Sequence, residues 1–151
     1  MVGEFICSEI GCFLIKLCRV YLGRHLEKLG ERVAIKIIGK EGNTKVPRKE
    51  YKILSRLQHK QIIQLLEVVE NDHRVCLVMN YAEGGDLYQH IKKKGKLGTH
   101  EAHRIFKQLL TAVAYLHSCG YVHRDIKPEN VTPSLKISSL SSHFRTYSGI
   151  S

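Results

Sequence analysis

Hydrophobic and polar positions divide the chain into a strand-rich first half and a helical second half. Val20-Tyr21-Leu22 and Arg32-Val33-Ala34-Ile35-Lys36-Ile37-Ile38 read as two strands, separated by the polar turn Glu27–Glu31. Upstream, Phe5 to Leu22 is the most apolar stretch and predicts one or two buried strands. Gly39 to Thr44 reads as a loop, and Pro47 suits the first turn of a helix whose broad apolar face carries Tyr51, Ile53, Leu54 and Leu57. That helix is expected to end before His59-Lys60-Gln61. Ile62–Val69 and Val75–Met79 are two more strand-like runs, with Asn71-Asp72-His73 as a hairpin turn. Gly84-Gly85 breaks the chain, and a short helix follows over Asp86–Lys93.

Thr99 is expected to cap a longer helix, His100–His117, with apolar residues at 102, 105, 106, 109, 110, 113 and 116. This spacing demands one wide buried face. Gly120 fits the position just past the helix end. After Asn130 the chain turns Ser-rich, with Ser at 138, 139, 141, 142, 148 and 151, and the last dozen residues read as a frayed tail. Strands and one helix come first and helices follow, which predicts an α+β fold with a small sheet-containing lobe and a helical part.

A chain of 151 residues is long enough for one domain with a core. Apolar residues make up 43% and charged residues 25%, a globular balance. The net charge of +10 favours phosphate-bearing or acidic partners. No aromatic platform or nucleic-acid module accompanies that charge, so nucleic acid is not an expected partner. Glu9, Lys16 and Arg19 interrupt the most apolar stretch, so neither a membrane span nor a membrane partner is expected. The stretch also lacks the order of a secretory signal. Cys7, Cys12, Cys18, Cys76 and Cys119 contain no CxxC pair, and the nine His contain no HExxH spacing. The cysteines read as reduced thiols, which suits a cytoplasmic or nuclear protein.

His123-Arg124-Asp125-Ile126-Lys127-Pro128-Glu129-Asn130 carries the strongest chemical signal. Asp125 could accept a proton from a substrate hydroxyl, Lys127 could offset charge on a moving phosphoryl group, and Asn130 could hold Mg²⁺ through its amide oxygen. Phosphoryl transfer needs little beyond such positioning and charge compensation. The octapeptide closely resembles the catalytic loop of eukaryotic serine/threonine protein kinases. Val33-Ala34-Ile35-Lys36 resembles the family's strand that bears the phosphate-pairing lysine. Leu77 to Leu87 resembles the linker between its two lobes. The three occur in family order between Val20 and Asn130, with the flavour of the calcium/calmodulin-dependent and AMP-activated-type kinases.

The resemblance implies a protein-kinase-like N-lobe over about 5–80 and a hinge at 80–86. A partial helical C-lobe at 87–138 and a Ser-rich tail at 139–151 would follow, all within one partial kinase domain, 1–151. It implies ATP and Mg²⁺ as cofactors. Val20 and Ala34 would cover adenine, and Lys36 would reach the phosphates, held by Glu50. Met79 would be the gatekeeper. The backbone of Asn80 and Ala82 would bond the adenine edge, and Asp86 would approach the ribose. Asp125 would be the base, Lys127 the γ-phosphate contact and Asn130 a metal ligand. Lys127 favours Ser/Thr protein substrates, and Glu129 with Asp86 would favour basic residues flanking the target. His123 is expected to be a buried structural residue.

The sequence departs from the family at several places. The positions of its glycine-rich loop fall on Phe13, Ile15 and Cys18, whose side chains would crowd the backbone approach to phosphate. Its metal-binding Asp-Phe-Gly is absent: Ser139 and Leu140 stand where Asp and Gly belong, and no Asp or Glu follows Glu129. Thr132 stands where an apolar residue would floor the adenine site. The apolar face of His100–His117 would pack, in the family, on a helix that this sequence lacks. Its exposure predicts self-association or a partner. Two readings follow: a protein serine/threonine kinase fragment with weak or no turnover, or a catalytically silent module acting through protein contacts.

Overall fold

The computed structural model describes residues 5–9, 18–25, 31–40, 48–133, 138–140 and 145–146, with side chains for 20–24, 31–40, 48–49 and 51–133. The chain divides into two compact units, 1–51 with 65–81 and 52–64 with 82–151. The first is built on β1 (Phe5–Glu9), β2 (Cys18–His25), β3 (Arg32–Gly39), the first four residues of the helix α1 (Arg48–Leu54), β4 (Leu65–Glu70) and β5 (Arg74–Asn80). Its five strands form one antiparallel sheet in the order β1-β2-β3-β5-β4.

The β-branched run in β3 suits its place inside this sheet, because such side chains pack well on a pleated surface. Alternation along β3 divides its side chains between two cores. Val33 and Ile35 pack with Cys76 and Val78, bordered by Tyr21, Ile37 and Val69. Ile38 packs with Val75 and Leu77, bordered by Tyr51 of α1 and Leu65. The unbroken apolar run Val75–Met79 in β5 follows from this, since every one of its side chains is buried. At Gly23 a Cβ would meet Ile35 Cδ1 at 2.6 Å and Val33 Cγ2 at 3.0 Å, so glycine leaves the space that Ile35 fills. The hairpin turn is as expected. Asn71 Oδ1 accepts from the backbone N–H of His73 at 3.0 Å and of Arg74 at 2.9 Å.

Two boundaries differ from the pattern reading. The strand expected from Ile62 starts at Leu65, and the buried Ile62 makes an isolated bridge ahead of it. The helix expected to reach Leu57 ends at Leu54, and Leu57 is buried just beyond it. Burial, not helical continuation, accounts for both apolar residues. Pro47 lies outside the described residues.

The second unit holds α2 (Leu87–Lys94), α3 (Thr99–Ser118), β6 (Tyr121–Val122), a 3-10 turn (Pro128–Asn130), β7 (Val131–Pro133), β8 (Ser138–Leu140) and β9 (Arg145–Thr146). Asp86 caps α2 by accepting from Gln89 N at 2.7 Å. Lys92, Lys93 and Lys94 occupy its last turn, where the helix dipole favours cations. The expected cap at Thr99 is corrected: Gly98 occupies the cap position without a side-chain bond, and Thr99 is already helical. Glu101 joins the two helices, accepting from Lys94 Nζ and lying 2.9 Å from His90 Nε2. Those two bonds hold its carboxyl below the usual range, the Lys94 bond contributing most. Gly120 takes φ +76°, a left-handed value suited to glycine just past a helix.

α3 buries Ile105, Ala112 and Leu116, but leaves Phe106 58% and Leu110 52% exposed. The predicted wide buried face is therefore narrower than the apolar pattern. The packing around α3 also includes the segment after α1. His59 stacks on Tyr115 with ring centroids 4.8 Å apart, and Tyr115 Oη accepts from Gln58 N at 2.9 Å. His59 Nδ1 accepts from Gln61 N at 3.2 Å. Burial, then the Lys60 charge, lowers the His59 pKa.

The tail is the largest departure from expectation. Ser138–Leu140 pairs with Val131–Pro133, and Arg145–Thr146 pairs with Tyr121–Val122. Arg145–Thr146 thus has a partner inside the stretch expected to fray, while Ser138–Leu140 lies at its start. Among the described residues, no helix is long and apolar enough to cross a membrane.

Candidate functional site

The loop between β6 and β7 is organised around Asp125. His123 is 3% exposed, the structural residue expected, and its Nδ1 accepts from the Asp125 backbone N–H at 3.3 Å. This bond requires an unprotonated Nδ1. Asn130 Nδ2 donates to Asp125 O at 2.8 Å and to Asp125 Oδ2 at 2.9 Å. Lys127 Nζ lies 2.9 Å from the same Oδ2. The 3-10 turn brings Asn130 back toward Asp125, closed by Asn130 N donating to Lys127 O at 2.9 Å. Asp125, Lys127 and Asn130 are therefore brought together as the octapeptide predicted.

Arg124 takes φ +63°, a left-handed conformation for a side-chain-bearing residue. Such a conformation costs about 1–2 kcal/mol and persists where surrounding contacts impose it. Nothing in the sequence pattern singled out this strain. The paired strands on either side, β6 with β9 and β7 with β8, hold both ends of the loop. A carboxylate held by an ammonium and an amide has a set orientation and lies 39% open to solvent. That arrangement can receive a proton from an incoming hydroxyl, with a cation beside it.

In the sheet unit, register places four predicted residues on one face. Val20 is opposite Lys36, and Ala34 lies between Leu22 on one side and Met79 on the other. Directly paired residues of antiparallel strands share a face, so Val20, Ala34, Lys36 and Met79 form one patch. Val20 is 37% exposed, Ala34 and Lys36 are half-buried, and Met79 is buried. Asn80 closes β5 opposite Val33. Glu50 lies in the first turn of α1, but its side chain is outside the described residues, as are Phe13 and Ile15. Cys18 is the first residue of β2, opposite Ile38.

In the helical unit, Ala82 is half-buried and the turn after it runs through Gly84 at φ +97° and Gly85 at φ +71°. Asp86, expected near a ribose, has Oδ1 committed to the cap of α2. Thr132 is half-buried and pairs with Ser139, and Leu140 pairs with Val131. The residues at the expected metal-motif positions thus lie in a paired strand.

The oxygen donors this loop offers a divalent metal are the Asp125 carboxylate and the Asn130 amide. Asn130 offers an amide whose nitrogen is bound to Asp125. Among the described residues, no group of three His, Cys, Asp or Glu side chains is placed to hold a metal ion. Mg²⁺ prefers oxygen ligands that include carboxylates.

Comparison with known proteins agrees with this motif content. The model of the protein kinase domain family matches residues 16–138. A CBL-interacting protein kinase 25 of Oryza sativa is 43% identical over 123 residues, covering 75% of this chain and 24% of the relative. A probable myosin light chain kinase of Dictyostelium discoideum is 46% identical over 116 residues, covering 74% and 24%. A maternal embryonic leucine zipper kinase of Xenopus tropicalis is 41% identical over 116 residues, covering 75% and 18%. The chain therefore spans about a quarter or less of the length of these relatives.

Proposed function

Because the chain belongs to the protein kinase domain family, we propose that it is a serine/threonine kinase fragment with weak or no turnover. In this reading it binds ATP and moves the γ-phosphoryl group to a Ser or Thr hydroxyl of a protein. The observation that carries the reading is Asp125, held by Lys127 and Asn130. Asp125 takes the hydroxyl proton, the hydroxyl oxygen bonds to the γ-phosphorus, and the β–γ bridge bond breaks to release ADP. Lys127 offsets charge on the moving group. Lys36 contacts the phosphates, paired with Glu50. Val20 and Ala34 cover adenine, Met79 lies behind it, and the backbone of Asn80 and Ala82 bonds its edge. Asp86 approaches the ribose.

Mg²⁺ is a weak cofactor in this reading, because Asn130 stands without the Asp of the family's metal motif, and no step is assigned to it. Basic residues flanking the target suit Glu129 and Asp86. The motifs suit the calcium/calmodulin-dependent and AMP-activated-type group, and the cysteines suit a cytoplasmic or nuclear setting. Phe106 and Leu110 on α3 suit self-association or a protein partner, and sedimentation of the full chain with and without Leu110→Glu tests this.

A second reading, a catalytically silent binding module, is favoured by one observation: no Asp or Glu follows Glu129. A radiolabelled-ATP assay on the full chain, with Asp125→Asn beside it, separates the two. Turnover lost in Asp125→Asn supports the kinase reading. No turnover with a thermal shift in MgATP supports the silent one. Neither turnover nor shift rejects nucleotide binding altogether.

A further inference from the structure

Glu70, the last residue of β4, gathers cations from two other elements. Its Oε1 lies 2.8 Å from Lys40 Nζ and accepts from Arg48 Nη2 at 2.6 Å. Lys40 directly follows β3, and Arg48 opens α1. Lys40 is itself fixed to the β4–β5 turn: its Nζ donates to Asn71 O, and its backbone N–H donates to His73 O at 2.8 Å. One carboxylate therefore ties together both ends of the segment 41–47. Closing such a segment costs chain entropy, which the shared carboxylate offsets.

The apolar anchors of α1, Ile53 and Leu54, are buried in its last turn, so its first turn needs another tie. The helix has seven residues, too few to be stable alone. Tyr51 packs against the core of Ile38, Val75 and Leu77. Arg48 and Lys49, in the first turn, are exposed and bring no apolar anchor. Register also places the clamp on the site face of the sheet. Glu70 pairs with Val75, Val75 with Ile38, and Ile38 follows Lys36 by two positions on β3. Lys36 and Ile38 share that face.

We infer that Glu70 is a positioning residue: by holding Lys40 and Arg48 together it sets the first turn of α1, which bears Glu50, on the sheet face that bears Lys36. The consequence for nucleotide rests on the kinase reading; the placement of α1 does not. Glu70 has its carboxyl lowered below the usual range by hydrogen bonds from Lys40 and Arg48, in keeping with a carboxylate that stays charged between two cations. Partly exposed ion pairs add little to global stability. The expected signature is therefore local loosening, not unfolding.

The test is hydrogen exchange on the full chain carrying Glu70→Gln, with Glu67→Gln on the same strand as control. Amides of residues 52–54 in α1 should exchange about tenfold faster, while those of β3 and β5 keep their rates. Titration with a fluorescent ATP analogue should show binding weakened about fivefold, and Arg48→Lys should restore part of what Arg48→Gln loses. Should Glu70→Gln fail to fold, Arg48→Gln removes one arm and takes its place. Unchanged exchange in α1, or faster exchange throughout the sheet, overturns the inference. Faster α1 exchange with unchanged nucleotide affinity overturns its functional half. Faster α1 exchange in a chain whose parent binds no nucleotide upholds the positioning role and rejects the kinase reading instead.

Discussion

The loop at His123–Asn130 and the sheet patch around Lys36 carry most of the candidate chemistry, and they are held by different means. Asp125 is oriented by partners within five residues, through the His123 ring, the Lys127 amine and the Asn130 amide. Lys36 is placed by strand neighbours far along the chain, Val20 on one side and Leu77 on the other. A short loop with reciprocal hydrogen bonds needs few residues to be right. A sheet patch needs register, two cores and a helix, all of which depend on distant contacts. Changes far from the motif should therefore damage the Lys36 patch first.

The strongest way to break this contrast is Ile35→Ala. Ile35 is fully buried, and its truncation should cost about 3 kcal/mol in chemical denaturation. Hydrogen exchange at Asp125 and Asn130 should stay unchanged under native conditions; faster exchange there would remove the distinction between the two modes of support. Gly23→Val comes next. Its side chain must enter space that Ile35 and Val33 already occupy, so a loss of about 2 kcal/mol is expected in the same measurement.

Asn130→Ala should cost less, about 1.5 kcal/mol, since it removes the two hydrogen bonds to Asp125. Any turnover should fall further than stability does, because the carboxylate loses its orientation; equal behaviour of Asn130→Ala and its parent in a phosphotransfer assay would count against Asp125 as the held base. The smallest effect concerns pH. His59 has a lowered pKa in the folded chain, so the unfolded chain binds its proton first as pH falls. Stability should be steady above the ordinary imidazole value, about 6.5. It should then decline as pH drops below that value toward the folded pKa. His59→Asn, which keeps an acceptor for Gln61 N, should flatten that decline in denaturation midpoints between roughly pH 7 and 5.

Much of this organisation was legible because it is local. The octapeptide brought Asp125, Lys127 and Asn130 together, the apolar run from Val33 to Ile38 placed Lys36 on a strand, and Gly120 marked a helix end. Each rests on a short-range cause: side-chain reach, strand period, or the left-handed preference of glycine. The misreadings share the opposite cause. Ile62 and Leu57 are apolar because they are buried outside the elements assigned to them, and Thr99 could cap a helix but Gly98 occupies that position. The stretch expected to fray holds no long apolar run, yet Arg145–Thr146 finds a partner in Tyr121–Val122.

By itself the sequence determined which residues could do phosphoryl chemistry, because residue type and close spacing decide what a short loop can hold. It also determined that residues 130–151 bring no Asp or Glu to the positions of the family's metal motif. Only the tertiary structure decided that Val20, Ala34, Lys36 and Met79 share one face, and that Glu70 collects Lys40 and Arg48. Those groupings join residues remote in sequence. They exist only because strand register and burial of the two sheet cores select one pairing among many.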